Sequence, residues 1–289
     1  MSMQDTGDQA DGLRHLQSAR ARVLAVASGK GGVGKTNVAV NLAVALAQRG
    51  RRPMLLDADL GLGNVDVLLG LSSRYHLAHV LAGEKSMEEI IVTGPAGIQI
   101  LPAASGIASM ASLDIRQQAG IMDAIGALES RLDYLIVDLA AGIGSEVLQF
   151  SRAADHVLVV LTNEPASITD AYAFMKVMSR DYGLRDFHVL PNMVRDLAEG
   201  NKLFERLASV AERYLNIRVH LAGRIPLDHF LRSAVRAQEP VLLRYPQSPA
   251  AKAFADLAEQ VLAWPRPTEH LGGHQFFVSR LLESDASGR

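Results

Sequence analysis

Short apolar runs alternate with longer helix-like stretches from residue 23 onward. Runs of this length, flanked by turn-forming residues, are typical of buried strands. The pattern predicts strands at 23–28, 54–57, 98–101, 134–138, 156–161, 187–191 and 219–225. It predicts helices at about 36–49, 114–130, 145–153, 166–182, 199–214, 227–237 and 248–263.

This alternation also predicts how the elements pack. Strands that are apolar throughout are buried on both faces, as in a parallel sheet covered by helices on either side. We therefore expect an α/β fold: one doubly wound, mainly parallel sheet of seven to eight strands, formed by residues 22–264. Residues 1–21 are polar and show no strand pattern, and Pro265 and Pro267 end the last helix before a tail at 265–289.

The first predicted strand runs directly into a glycine-rich loop, Gly29-Lys-Gly-Gly-Val-Gly-Lys-Thr36, and a helix follows. This matches the phosphate-binding pattern G-x-x-x-x-G-K-[ST] in the strand-loop-helix context that it requires. The glycines let backbone N–H groups point at phosphate oxygens, and the helix N-terminus favours an anion. We expect Lys35 to reach the β- and γ-phosphates and the Thr36 hydroxyl to bind Mg²⁺. The loop thus predicts binding and hydrolysis of ATP with Mg²⁺, with nucleotide contacts from Gly29, Lys30, Gly31, Gly32, Val33, Gly34, Lys35, Thr36 and Asn37.

Acidic residues follow two of the predicted strands. Asp57 and Asp59 come after the second strand, and Asp138 ends the strand at 134–138. A carboxylate at the carboxyl end of a strand in a doubly wound sheet faces the ligand crevice. We expect Asp57 and Asp138 near the Mg²⁺, and Asn64 and Gly142 in the loops beside the nucleotide.

A second lysine, Lys30, follows the first glycine of the loop, giving K-G-G-x-G-K-T. In this the chain resembles the deviant Walker-A ATPases of the MinD/ParA class. The resemblance implies a homodimer that forms with ATP, in which Lys30 crosses to the partner's phosphates and acts in catalysis together with Lys35. It also implies that Asp59 orients the attacking water. Many members of the class have a proline where this chain has Ala140-Ala141, but Asp138 and Gly142 are retained.

Contacts to adenine follow from the same resemblance. Asn192, just past the sixth predicted strand, matches the asparagine that reads the base in the family. Arg224 and Pro226 lie in a segment, 224–228, that matches the one packing on the adenine ring. An asparagine at a strand end and a proline in a turn also have purely structural uses, and both interpretations stay open.

Composition narrows the class of protein. The chain has no cysteine, which excludes disulfides, thiolate zinc sites and iron–sulfur clusters. The net charge of -2 gives no overall cationic field for nucleic acid, so we expect no direct specific DNA binding. No apolar run approaches the ~20 residues needed to span a bilayer, and the N-terminus does not look like a signal peptide. We expect a cytoplasmic protein.

The segment Asp8-Gln-Ala-Asp-Gly-Leu-Arg14 narrows the resemblance to flagellar regulators of the FlhG/FleN family. Similar stretches at 55–71, 101–106, 140–144 and 164–172 extend it over almost the whole chain. It implies control of flagellar number and placement, with a FleQ-type transcription regulator and flagellar switch proteins as partners. It also implies stimulation of an FlhF-type GTPase by Asp8, Gln9, Ala10, Leu13 and Arg14. For the N-terminal segment, a disordered tail stays open as an alternative. For the function of the protein, a ParA-like DNA-partitioning ATPase and an ATP-dependent ligase stay open.

The tail contains Phe276-Phe-Val-Ser-Arg-Leu-Leu282, in which Phe277 and Leu281 share a helix face. In the MinD class the corresponding segment binds membrane, although membrane-surface helices usually carry more lysine and arginine than this one. A membrane surface, a partner and the chain's own surface all stay open as its docking site. The resemblance thus adds the inner face of the cell membrane near the flagellar pole to the expected localisation.

Overall fold

A computed structural model of the chain describes residues 21–59, 63–102, 128 and 131–265. Within these residues nine strands form one sheet in the order β3-β4-β2-β5-β1-β6-β7-β8, and β9 pairs with the far end of β7. All neighbouring strands are parallel except β3 and β4. The strands are β1 (Arg22–Ser28), β2 (Pro53–Ala58), β3 (Val92–Thr93), β4 (Gln99–Leu101), β5 (Tyr134–Ala141), β6 (His156–Leu161), β7 (Asp186–Val194), β8 (Arg218–Leu221) and β9 (Ile225–Pro226).

Helices cover the sheet. They are α1 (Lys35–Ala47), α2 (Val65–Leu69), α3 (Leu77–Leu81), α4 (Met87–Ile90), α5 (Ser145–Ala153), α6 (Pro165–Asp181), α7 (Leu197–Leu215), α8 (His229–Arg236), α9 (Val241–Arg244) and α10 (Pro249–Ala263), with a short 3₁₀ turn at Pro95–Gly97. None of the helices described here is long and apolar enough to cross a membrane.

The doubly wound α/β fold is confirmed, and each of the seven predicted strands has a counterpart. The prediction of one strand at 219–225 was wrong: the chain pairs with β7 as β8, leaves the sheet at Ala222, and pairs with β7 again as β9. Gly223, with φ of 152°, lies in this break. Within the part of the chain that the structure describes, the sheet has nine strands, and the prediction of seven to eight omitted β3 and β9, which at two residues each are too short to show a pattern. The predicted helix at 114–130 lies almost wholly outside the described residues.

Two apolar clusters, one on each face of the sheet, explain the continuous apolar strands. Along β1, Ala25 and Ala27 join one cluster while Leu24 and Val26 join the other, following the two-residue period of a strand. Helix α1 is buried in the second cluster along most of its length, against α10. The phosphate loop is therefore fixed at both ends, by β1 in the middle of the sheet and by a buried helix.

The strand order places the carboxyl ends of β2, β5 and β1 side by side. After β1 the chain forms the strands on one side of it, β2 to β5, and then crosses to form β6 to β8 on the other side. This reversal of direction is the topological switch point where such sheets bind ligands. In the parallel register of β2 and β5, Asp57 lies directly opposite Asp138. The fold thus brings the two predicted Mg²⁺ carboxylates next to the loop.

Candidate nucleotide-binding site

The glycine-rich loop forms one wall of a cavity of about 570 Å³ at the carboxyl edge of the sheet. Gly32 and Gly34 have φ of 79° and 86°, a left-handed conformation that glycine adopts without strain. Gly34 also precedes α1 directly, so the first amides of that helix face the cavity. The cavity is lined by Ser28, Lys30, Gly31, Gly32, Val33, Gly34, Lys35, Thr36, Asn37, Asp59, Asn64, Val67, Leu68, Ala141, Val235 and Gln238.

Lys35 is buried, and its Nζ lies 3.1 Å from Oδ1 of Asp138. Burial raises the pKa of the Asp138 carboxyl, while the charge of Lys35 and a hydrogen bond with the Thr36 side chain oppose the rise. Each of these two buried groups needs the other as its partner, because an isolated buried charge is strongly disfavoured. Lys35 is therefore held at the cavity wall by a carboxylate that a phosphate can replace as its partner.

Asp57 is the second buried carboxylate. Its oxygens accept hydrogen bonds from the backbone amides of Asp59 (3.2 Å), Asn64 (2.9 Å) and Val65 (3.1 Å). Burial, together with the charge of Asp138, raises the pKa of Asp57 to about 7, although the backbone hydrogen bonds act in the opposite direction. The charge of Asp138 thus makes Asp57 more difficult to ionise, and a divalent cation beside the two carboxylates would relieve that repulsion.

The residues present fit Mg²⁺. The Thr36 hydroxyl and the carboxylates of Asp57 and Asp138 are hard oxygen ligands, and Mg²⁺ typically takes one or two carboxylates with phosphate oxygens and waters. The described residues contain no group of three or more histidine, cysteine, aspartate or glutamate side chains that could hold a metal.

Asp59 and Asn64 flank the stretch 60–62, which is outside the described residues, and both line the cavity. Gly142 does not line the cavity. Its backbone has φ of 100°, and its amide donates a hydrogen bond to the Ser28 carbonyl (2.9 Å). The loop after β5 is thereby tied to the start of the phosphate loop. Of the residues predicted around the phosphates, Asp59 and Asn64 lie at the cavity and Gly142 lies just behind it.

Lys30 lies at the mouth of the cavity, where its side chain is 38% exposed and forms an ion pair with Glu164. Glu164 precedes α6, whose backbone passes directly against Gly29. Lys35 faces the interior of the cavity, while Lys30 lies at its rim. The two lysines are thus placed for different tasks.

The predicted adenine contacts are divided between two places. Asn192 is buried against the loop, and its Nδ2 donates to the Val33 carbonyl (2.7 Å). Arg224 and Pro226 instead line a separate cavity of about 620 Å³, in which Arg224 donates to the side chain of Asn201. The two cavities share no lining residue. The structure therefore brings Asn192, but not Arg224 or Pro226, to the phosphate loop.

Sequence reasoning missed several residues of the site. Val235 and Gln238 come from α8 and the turn after it, some 200 residues from the loop, and no motif marks them. Asn41 did give a signal, because it is an amide in an otherwise apolar stretch of α1, four residues after Asn37. Its side chain donates to Asn37 and accepts from the amide of Val241 (3.0 Å), and so joins the loop helix to the chain after α8.

Comparison with known proteins agrees with this geometry. Residues 20–262 match the family model described as "ParA: NUBPL iron-transfer P-loop NTPase". The chain is 49% identical to the antiactivator FleN of Pseudomonas aeruginosa, over 92% of this chain and 95% of that protein. It is 36% identical to the flagellum site-determining protein YlxH of Helicobacter pylori, over 75% of this chain and 74% of that protein. Among solved structures, the septum site-determining protein MinD of Pyrococcus horikoshii complexed with Mg-ADP has a TM-score of 0.69 and 26% identity, covering 83% of this chain and 96% of that one.

Proposed function

We infer the function from a premise that the comparisons establish: the chain belongs to the MinD/ParA family of P-loop ATPases and, within it, to the flagellar regulators related to FleN. It is an ATPase that uses Mg²⁺, and it serves flagellar number regulation. The proposal is that it does so as a switch. ATP joins two protomers face to face, hydrolysis separates them, and the dimer is the signalling form.

In this proposal the polar residues at the cavity divide the work of binding and hydrolysis. Lys35 exchanges Asp138 for the phosphates of ATP, and the amides of the loop donate to phosphate oxygens. Thr36, Asp57 and Asp138 would hold Mg²⁺, and the bound ion would supply positive charge to the phosphates. Asp59 orients the attacking water, a role that contributes in the transition state rather than in binding.

The proposed dimer is supported mainly by the apolar residues on the surface around the cavity mouth. Val67, which lines the cavity, is 63% exposed, and Met193, whose Cε would lie 3.2 Å from a Cβ on Gly34, is 41% exposed. Ile143, which follows Gly142 in the loop after β5, is 51% exposed. Apolar side chains gathered at one edge of a protein commonly mark a surface that is covered by a partner. Lys30 lies at the rim of the same surface, from which it can reach the nucleotide of a facing protomer.

Replacing Lys30 tests the switch. Lys30→Ala is expected to bind ATP nearly as tightly as the wild type, because Lys35 and the loop amides remain, yet to stay monomeric in light scattering with a non-hydrolysable analogue. Glu164→Gln is the matched control: it removes the partner of Lys30 within the protomer and keeps the lysine, so dimerisation should persist. A Lys30→Ala protein that dimerises like the wild type would contradict the proposal.

The partners are inferred from the family and from residues 8–14, which lie outside the described structure. Asp8, Gln9, Ala10, Leu13 and Arg14 would form a short helix that orders on contact with an FlhF-type GTPase. A FleQ-type transcription regulator and flagellar switch proteins would read the ATP-bound dimer. A ParA-like role in DNA partitioning is less favoured, because the relatives with the higher identity are flagellar proteins.

Deleting residues 1–20 tests the partner segment. ATP binding and dimerisation should be unchanged, since the described strands and the described cavity lining all come after residue 20, whereas stimulation of the GTPase should disappear. A peptide of residues 1–20 should stimulate the GTPase alone, and a scrambled peptide should not. Full stimulation by the truncated protein would refute the assignment of this segment.

The C-terminal tail is assigned to reversible docking that depends on the nucleotide. A membrane surface near the flagellar pole, a partner and the chain's own domain are its three candidate targets. Sedimentation of the protein with anionic vesicles, with ATP or ADP present, tests the first of these targets: an ATP-dependent pellet that is lost when residues 266–289 are removed supports the membrane. Absence of binding in both states would exclude it.

A further inference from the structure

Gln238 has a strained backbone at the rim of the nucleotide cavity. It follows α8 with φ of 55°, and its amide donates to the Val235 carbonyl (3.0 Å) to close the helix. At this position of a helix end glycine is the usual residue, because any side chain makes the left-handed conformation less favourable. A non-glycine residue kept in such a conformation beside a functional cavity suggests that its side chain has a function.

The side chain of Gln238 contacts the end of α2. Its Nε2 donates to the Val67 carbonyl (2.8 Å), and its Oε1 would lie 2.9 Å from a Cβ placed on Gly70. Gly70 ends α2 in a left-handed conformation, with φ of 62°. One side chain thus satisfies a terminal carbonyl of α2 and packs against the glycine that closes it.

The start of α2 is held from the other side of the cavity. Asp57 accepts hydrogen bonds from Asn64 and Val65, the first residues of the helix. A helix of five residues has almost no stability of its own, so these contacts at its two ends determine its position. The same carboxylate accepts the backbone amide of Asp59 (3.2 Å), so Asp59 and the start of α2 are held by one group, and a displacement of α2 is passed to Asp59 through Asp57.

Gln238 is in turn fixed to the phosphate loop. Three residues further on, the Val241 amide donates to Asn41 of α1, which also contacts Asn37. A continuous set of contacts therefore runs from α1 through Val241 and Gln238 to Val67 of α2. At one end lies the helix that follows the phosphate loop, and at the other lies α2, whose start shares the Asp57 carboxylate with Asp59.

We propose that Gln238 is a positioning residue for hydrolysis, which holds α2, and with it Asp59, at a fixed distance from the phosphate loop. It acts through Asp59 and contacts no reacting atom. The inference rests on the assignment of this cavity to ATP hydrolysis and goes beyond it, since nothing in the phosphate-loop motif involves the turn after α8. Small misplacements of groups that orient a reactant reduce the rate by large factors.

The test uses Gln238→Gly, which removes the side chain and relieves the strained backbone. We expect an unfolding midpoint no lower than that of the wild type and an unchanged KM for ATP. The kcat should fall by up to about 10-fold. Gln238→Glu should reduce kcat similarly, because it places an acceptor against the Val67 carbonyl. Asn216→Gly is the matched control: Asn216 also follows a helix with φ of 51°, away from the cavity lining, so its replacement should leave kcat unchanged.

Combining Gln238→Gly with Asp59→Ala distinguishes positioning from an independent effect. If Gln238 acts through Asp59, the double variant should be no slower than Asp59→Ala alone, because residues that act as a unit are not additive. A wild-type kcat in Gln238→Gly, a raised KM with unchanged kcat, or additive losses in the double variant would each overturn the proposal. Light scattering of the same samples with the ATP analogue scores dimerisation separately, so a failure of the proposed switch would be recognised as such.

Discussion

Lys35 and Asp138 form a buried ion pair whose lysine is presented to the cavity. Replacing the lysine removes a charged donor to phosphate, and a hydrogen bond to a charged group contributes about 1.5–3 kcal/mol. We therefore expect Lys35→Ala to weaken ATP binding by roughly 10- to 100-fold in a calorimetric titration. Lys202→Ala, at an exposed position of α7, is the control and should bind normally. Equal affinities of the two variants would contradict the role of Lys35.

Asp59 is expected to affect the rate of hydrolysis and leave binding unchanged. A carboxylate that orients water contributes mainly in the transition state, and such groups typically accelerate reactions ~10²-fold or more. Asp59→Ala and the isosteric Asp59→Asn should keep the wild-type affinity for ATP, lose most hydrolysis, and accumulate as ATP-bound dimers. Phosphate release measures the loss of hydrolysis, and light scattering measures the accumulation of dimers. Hydrolysis at the wild-type rate in both variants would make Asp59 a turn residue only.

Contact between the phosphate loop and α6 explains why the first glycine of the loop differs from the others. A Cβ on Gly29 would collide with the backbone of Asp170 and lie 2.6 Å from the amide nitrogen of Ala171, whereas a Cβ on Gly31 meets nothing within 4 Å. Helix backbone cannot move aside as a flexible side chain can. Gly29→Ala should therefore lower both the unfolding midpoint and the affinity for ATP.

Gly31→Ala is the matched control for this steric argument. The same methyl group is added two residues away into open space, so the unfolding midpoint should change little. Thermal unfolding and nucleotide titration of the two variants measure the difference. If Gly31→Ala were as destabilising as Gly29→Ala, the requirement would be for loop flexibility in general and not for the approach of α6.

The elements of this fold differ in how well the sequence predicts them. β6 and α5 have the predicted bounds, because a strand buried on both faces leaves a continuous apolar run and an amphipathic helix leaves a clear period. α2, α3, α4 and α9 were missed, since helices of four or five residues show no period and depend on tertiary contacts. At the site, Lys35, Thr36 and Asp138 follow from a motif and a strand end. Gln238 could not be predicted, because its contact with Val67 depends on how distant segments pack.

At the scale of the whole molecule, the two ends of the sheet have different chemistry. The carboxyl end carries the nucleotide cavity, and three histidines lie near the amino ends of adjacent strands: His156, His188 and His220. Their rings are 5.2 and 5.4 Å apart, and Trp264 stacks on His188 at 3.5 Å. This cluster joins the end of α10 to the sheet, far from the predicted chemistry.

His188 is the buried member of this cluster. Burial, with smaller contributions from His156 and His220, lowers its pKa from 6.5 to about 3, while Asp186 acts in the opposite direction. Its Nδ1 is buried without a hydrogen-bond partner. Arg22 of β1 donates to the Trp264 carbonyl (3.1 Å) above the cluster, and Arg218 of β8 pairs with Asp186 beside it. The native state therefore holds His188 neutral over the whole physiological range.

The sign of the resulting pH dependence follows from linkage. Below the unfolded pKa of about 6.5 the unfolded chain takes up a proton at His188 that the native chain does not, so stability is complete above that pH and falls as the pH falls toward 3. At pH 5 the loss is roughly 2 kcal/mol. Asp57 acts in the opposite sense, because its raised pKa makes the native chain bind a proton between about 4 and 7. The profile of the wild type alone therefore cannot isolate His188.

The variant His188→Phe isolates the contribution of His188 to the pH dependence of stability. Phenylalanine keeps a ring to stack on Trp264, removes the unpaired nitrogen and cannot be protonated, so the variant should be at least as stable as the wild type at pH 8. At pH 5 its advantage in the free energy of unfolding should be larger by roughly 2 kcal/mol, measured by urea unfolding at both pH values. ATP affinity at pH 8 should not change, because the cluster and the cavity lie at opposite ends of the sheet. His229→Gln, at an exposed position, controls for the loss of a histidine, and parallel pH profiles for wild type and His188→Phe would show that His188 does not govern acid stability.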